Sequence, residues 1–161
     1  MSAIIVPFTP TSLGRVEFDA EIMTGDNLSF DTVTFKLDTG SDFTTLSCAD
    51  LTLLGYSDRF LESCKHHDIA AAPAASKGIM LQYIEDVSIK FGNREFQGCR
   101  IFFKLNSNLH SFFGSDLLKY FNYEVNQDEG ELRLNKAAKV PVLSTGEKQI
   151  HIYSLSEQQP C

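Results

Sequence analysis

Strict alternation of apolar and charged side chains constrains this chain most. Val16, Phe18, Ala20 and Ile22 alternate with Arg15, Glu17, Asp19 and Glu21. Successive side chains of an extended strand point to opposite faces, so this run is a half-buried β-strand. Thr24-Gly25-Asp26-Asn27 then turns the chain. In the next run, Leu28 and Phe30 hold even positions while Val33, Phe35 and Leu37 hold odd ones, which predicts a bulge or bend near Asp31-Thr32. Ile79, Leu81, Tyr83, Val87, Ile89 and Phe91 keep one odd-numbered phase and predict a long strand. Gly92-Asn93 turns that strand onto a partner over residues 95–103. Residues 123–134 read as a hairpin around Asp128-Glu129-Gly130, and residues 149–155 as one more strand.

Only short helices interrupt this pattern. Ser47 reads as a helix cap with Asp50 near the positive end, and Gly55 as the stop. Residues 57–64 read as another helical turn, and residues 115–121 as a short helix with Leu117, Leu118 and Phe121 on one side. Residues 1–13, with Pro7 and Pro10, read as an irregular lead-in. Residues 69–78 are small and nearly featureless and read as an exposed connection. Many short strands with few helical turns predict a mainly β fold. At 161 residues the chain is long enough for one domain with its own core.

Composition removes several functions. Fourteen Lys and Arg against 21 Asp and Glu leave a net charge of −7, the wrong sign for nucleic acid or an anionic membrane surface. No apolar run is long enough to span a bilayer, and the N-terminal Met-Ser-Ala-Ile-Ile-Val-Pro-Phe has no basic stretch, so no signal peptide is expected. Cys48, Cys64, Cys99 and Cys161 are widely spaced and read as reduced thiols, which points to the cytoplasm. Cys48 and Cys99 read as small buried apolar residues. Cys64-Lys65-His66-His67-Asp68 crowds four potential metal ligands into five residues, too close for all to reach one ion, so no metal is expected.

The sharpest chemical feature is Phe35-Lys36-Leu37-Asp38-Thr39-Gly40-Ser41-Asp42. An apolar strand delivers a carboxylate into a turn, where Gly40 permits close backbone approach. Ser41 is placed to donate a hydrogen bond to the Asp38 carboxylate and favour its ionised form. About seventy residues on, Phe112-Phe113-Gly114-Ser115-Asp116-Leu117-Leu118 sets an apolar pair, a glycine and a helix start.

With both motifs in this order, residues 14–136 resemble the retropepsin-like aspartic proteases. That family's pattern is two apolar residues before Asp-Thr-Gly-Ala/Ser, then a flap hairpin, then two apolar residues before Gly-x-Asp/Asn-apolar-Leu. Leu54-Gly55-Tyr56 and the hairpin from Phe121-Asn122-Tyr123 to Leu134 extend the likeness. The resemblance implies a closed, mostly antiparallel β-barrel-like fold and an endopeptidase that needs no cofactor. It implies Asp38 as the catalytic residue, with Thr39, Gly40 and Ser41 supporting its loop. Gly114 and Asp116 fall on the structural second motif. Residues 69–78 fall where the family has its flap, making Ala74, Ala75 and Gly78 substrate-facing candidates beside Asp42.

Peptide hydrolysis by carboxylates needs one ionised, to take a proton from water, and one protonated, to polarise the carbonyl. The chain has a single Asp-Thr-Gly, so one copy supplies half a site. A two-fold homodimer brings Asp38 and its symmetry mate together. Thr39 then ties the two loops across the axis, as the family's threonine does, and residues 137–161 form an extension available to the interface.

Two departures matter. Retroviral members place arginine where this chain has Ser115, so Asp42 needs another cation or solvent. Ser41 stands where those enzymes have alanine, and the extra hydrogen bond predicts an acid-shifted optimum. The competing reading is a retropepsin-like dimer without hydrolysis, used to bind peptides or assemble. A third, with Asp38 as a phosphorylated nucleophile, lacks the parallel strand–helix units such sites use.

Overall fold

The computed structural model describes residues 3–23, 30–67, 80–143 and 146–155. Among these residues, nine strands and three short helices follow in the order β1 (Ile4–Pro7), β2 (Glu17–Met23), β3 (Asp31–Leu37), α1 (Cys48–Leu53), α2 (Asp58–Ser63), β4 (Gln82–Phe91), β5 (Arg94–Phe103), β6 (Phe112–Phe113), α3 (Ser115–Leu118), β7 (Phe121–Asn126), β8 (Glu131–Lys136) and β9 (His151–Ser154). They form a six-stranded sheet, β6-β3-β2-β4-β5-β9, and a three-stranded sheet, β1-β8-β7. The chain is mainly β, as the alternation predicts. Every ladder is antiparallel except β3–β6.

The inner face of β2 is Phe18, Ala20 and Ile22, all buried, with charged neighbours turned outward. Val33 and Phe35 continue that face across β3. Aromatic rings fill the centre: Phe113 meets Phe91, Phe18 and Phe35 at centroid separations of 5.1, 5.4 and 5.9 Å, each edge-on. Edge-to-face contact suits the ring quadrupoles, and each buried ring contributes roughly 1.5–3 kcal/mol. Phe113 thereby ties the second motif to the core.

Several expectations are corrected. Residues 1–13 are not an irregular lead-in throughout. Ile4–Pro7 is a strand in register with β8, Ile4 opposite Leu134 and Pro7 opposite Glu131. Proline is tolerated there because β1 lies at the sheet edge, where one missing N–H breaks no ladder. The β2–β3 register runs unbroken from Glu17 opposite Lys36 to Ile22 opposite Asp31, so the bulge expected at Asp31-Thr32 is absent. The irregularity lies in β4 instead. Its register shifts between Ile84 and Val87, where Asp86 has a φ of 57°. The single odd phase therefore fails, and Ile84 rather than Tyr83 joins the core with Val87, Ile89 and Phe91. The last helix is shorter than expected, ending at Leu118, and Phe121 opens a strand.

α1 begins where its cap predicts, and α2 has a serine cap of the same kind. Ser47 accepts from the Asp50 N–H at 3.1 Å and Ser57 from the Phe60 N–H at 3.2 Å. Beyond β8 the chain returns to the large sheet, where β9 pairs with β5 from Arg94 opposite Ser154 to Gln97 opposite His151. No helix among the described residues is long and apolar enough to cross a membrane.

Candidate active site

Asp38 stands at the end of β3, where the strand gives way to a loop. The chain returns from that loop as residues 44–46, and the second motif runs between its two arms. On one side, the Lys36 N–H donates to Ser111 O at 2.9 Å and the Asp38 N–H to Phe113 O at 3.1 Å. On the other, the Thr45 N–H donates to Phe112 O at 2.8 Å. Phe112-Phe113 is thus held from both sides by the segment that carries Asp38.

Gly114 completes the clamp. A Cβ there would lie 2.5 Å from Phe43 O and 2.8 Å from Ser41 O, so only glycine lets the backbones meet. The Ser115 N–H then donates to Ser41 O at 2.8 Å, tying the start of α3 to the loop.

Asp116 locks the same junction. Its Oδ2 accepts from the Thr44 N–H at 3.0 Å, and its Oδ1 from the Thr44 hydroxyl at 2.7 Å and the Leu117 N–H at 3.0 Å. Thr44 Oγ1 in turn accepts from the Gly114 N–H at 3.0 Å. Burial pushes the Asp116 carboxyl up to about 6, against the lowering pull of the Thr44 and Leu117 donors, with the Glu147 charge adding to the rise. Its donors are Thr44, just beyond the first motif, and Leu117, within the second, so the carboxyl joins the two segments.

The Asp38 carboxylate is only half-buried. Oδ1 accepts from the Gly40 N–H at 3.0 Å, and Asp38 O accepts from the Ser41 N–H at 3.2 Å, a tight turn that fixes the side chain. The expected hydrogen bond from Ser41 to Asp38 is not formed, because the Ser41 hydroxyl donates to Phe43 O at 2.8 Å. Nor does the single chain demand glycine at position 40. A Cβ there would sit 3.4 Å from Asp38 Oδ1, ordinary contact. Thr39 is exposed, and its hydroxyl has no hydrogen bond among the described residues.

Two cavities flank this loop. One, of about 330 Å³, contains Asp38 and is walled by Arg15, Lys36, Leu37, His110 and Phe112. The other, of about 560 Å³, begins at Asp42 and Phe43 and reaches His67, Arg100, Phe102 and Ser115. Asp42 is exposed and forms no ion pair among the described residues, whereas Arg100 in the same cavity pairs with Glu85 at 3.1 Å.

Ala74, Ala75 and Gly78, with the flap they were expected to form, lie outside the described residues. The segment before them is partly described. His67 packs its ring against Phe43 at 4.8 Å and Phe102 at 5.7 Å, and its backbone N–H donates to Leu81 O at 2.7 Å. Cys99 is fully buried as expected, while Cys48 is only partly so and donates from Sγ to Lys104 O at 3.4 Å.

Sequence reasoning missed Thr44 and Thr45, both buried polar residues that stitch the two motifs together. It also missed Arg15, placed on the charged face of the first strand, and Lys36, quoted only within the Asp38 motif. One signal was available: Lys36 and Asp38 are two apart on extended chain and so share a face.

No protein-family model matches the sequence, and no curated protein matches it either. Among solved structures, the chain is similar to a retropepsin-like aspartic protease from Rickettsia conorii, at 20% identity and a TM-score of 0.54. The match covers 84% of this chain and 90% of that one. At that identity the likeness establishes architecture, and the chain has a retropepsin-like fold.

Proposed function

We propose that this protein is a homodimeric aspartic endopeptidase whose reacting group is the Asp38 carboxylate paired with its symmetry mate. The observation that carries the reading is the clamp. Asp38 lines a cavity on a turn whose two arms bracket Phe112-Phe113-Gly114 and hydrogen-bond to it. That arrangement holds a carboxylate in a fixed pose toward a space large enough for a peptide segment, which catalysis requires. The open hydroxyl of Thr39 and the glycine at position 40 support a second copy at this surface, since among the described residues nothing bonds that hydroxyl and nothing crowds a Cβ at position 40.

In the dimer, two adjacent carboxylates share one proton, because like charges so close do not both ionise. The ionised one takes a proton from water, whose oxygen attacks the peptide carbonyl. The protonated one donates to the carbonyl oxygen as the tetrahedral intermediate forms. As the C–N bond of that intermediate breaks, the pair passes its proton to the leaving amine and takes one back from a hydroxyl of the intermediate, which leaves as the new carboxyl group. The Gly40 N–H keeps Asp38 oriented throughout.

The second reading is a peptide-binding or assembly module without hydrolysis. Ser115 in place of arginine and the Ser41 hydroxyl turned away from Asp38 favour it. Digestion of an unfolded protein library by the wild type and by Asp38→Asn separates the two. The endopeptidase reading expects new peptide termini with the wild type and none with the variant. Equal, background cleavage by both, with dimers intact, leaves the binding module.

A further inference from the structure

The walls of the Asp38 cavity carry a charge pattern that hydrolysis by itself does not require. Arg15 and Lys36 both line it, and no ion pair joins either to an acidic side chain among the described residues. Lys36 is half-buried on β3, two residues before Asp38. Glu17 is its cross-strand partner on β2, yet the two make no ion pair, and neither cation pairs with Asp38. Arg15 is exposed on a turn pinned by its own N–H donating to Thr11 Oγ1 at 3.0 Å. By contrast, the cations Lys65, Arg100 and Lys119 are each engaged by Glu85 or Glu147.

His110 adds a ring nitrogen at the same rim, its ring 5.9 Å from that of Phe112. Leu37 and Phe112 supply the apolar wall. Two unpaired cations, an imidazole and an apolar surface form a receptor for a side chain with a methylene stem and an anionic end. A guanidinium takes a carboxylate bidentately, and an ammonium adds a second charge-assisted hydrogen bond.

We propose that the Asp38 cavity selects peptides carrying an acidic side chain, glutamate above aspartate, beside the bond presented to Asp38. This rests on the endopeptidase reading of the same cavity and names its substrate class. Without the two cations, a carboxylate here would meet only the charge of Asp38 and be repelled. With them, the acid is drawn in, and the longer stem of glutamate lies against Leu37 and Phe112.

The test uses the full chain and two statine-type peptides that differ only in Glu or Gln next to the statine, with binding measured by calorimetry. The Glu peptide is expected to bind about fivefold tighter at low salt, the size of a partly exposed ion pair. The advantage shrinks as salt is raised, and R15Q/K36Q brings the ratio close to one. Equal affinities in the wild type, an undiminished preference in the double variant, or no binding of either peptide overturns the proposal. Turnover of matching cleavable peptides by the wild type and by Asp38→Asn is read separately. A Glu preference in binding without turnover sinks hydrolysis and sustains charge selection. Asp38-dependent turnover that is indifferent to Glu sustains hydrolysis and sinks charge selection.

Discussion

Asp116→Asn tests how the two motifs are joined. In the folded chain the Asp116 carboxyl titrates at about 6, raised from 3.8 chiefly by burial. Between those values the folded state holds a proton that the unfolded chain has released. Stability therefore falls as pH rises through that window, and the cost is complete above about 6. At 1.36 kcal/mol per tenfold change in acidity, the full cost is roughly 3 kcal/mol. The amide carries no charge and escapes it. It also has one acceptor oxygen, while the Thr44 N–H, the Thr44 hydroxyl and the Leu117 N–H all need one. Leaving one donor unmet costs about 1–2 kcal/mol. The variant should then be about 1–2 kcal/mol more stable than the wild type at pH 7.5 and less stable at pH 4.5. Urea unfolding followed by circular dichroism at four pH values between 4.5 and 7.5 gives both curves. The difference between them isolates this carboxyl from every other titrating group. A constant difference across the range refutes the reasoning.

Other changes probe the same framework. Gly114→Ala forces a Cβ against Phe43 O and Ser41 O, and should cost about 3 kcal/mol or more, seen as a lowered urea midpoint. Phe113→Ala empties the aromatic centre and should cost about 3–5 kcal/mol in the same assay. Asp38→Asn keeps an oxygen for the Gly40 N–H, so stability should stay within about 1 kcal/mol. Peptide turnover should fall at least about a thousandfold. Cys99 is fully buried with its thiol pushed up to about 12, so native-state alkylation read by mass spectrometry should spare it until the chain unfolds.

Much of the architecture is written in local patterns. The alternation from Val16 to Ile22, the turn at Gly92-Asn93 and the cap at Ser47 each follow from the residues beside them. Ile4–Pro7 was not legible, because its strand exists only through pairing with β8, far along the chain. The phase change in β4 was hidden because a bulge at an ordinary residue, Asp86, leaves no glycine or proline to mark it. At the site, the motif residues were readable as strings, but their mutual arrangement was not. Only coordinates reveal that Ser41 turns to Phe43, that Thr44 bridges Gly114 and Asp116, and that Arg15 and Lys36 flank Asp38. Lys36 and Asp38 share a face by their spacing of two, but Thr44 with Gly114 and Asp116, and Arg15 with Asp38, are joined across spacings that carry no period.

Titration of wild type with Asp38→Asn addresses the shared site most directly. Chains are mixed under conditions that allow exchange, and peptide turnover per wild-type chain is followed as the variant fraction rises. If each site needs an Asp38 from both copies, turnover per wild-type chain falls to roughly half at an equal mixture and towards zero in excess variant. Turnover per wild-type chain that stays constant throughout would mean that one copy acts alone, and would contradict the account.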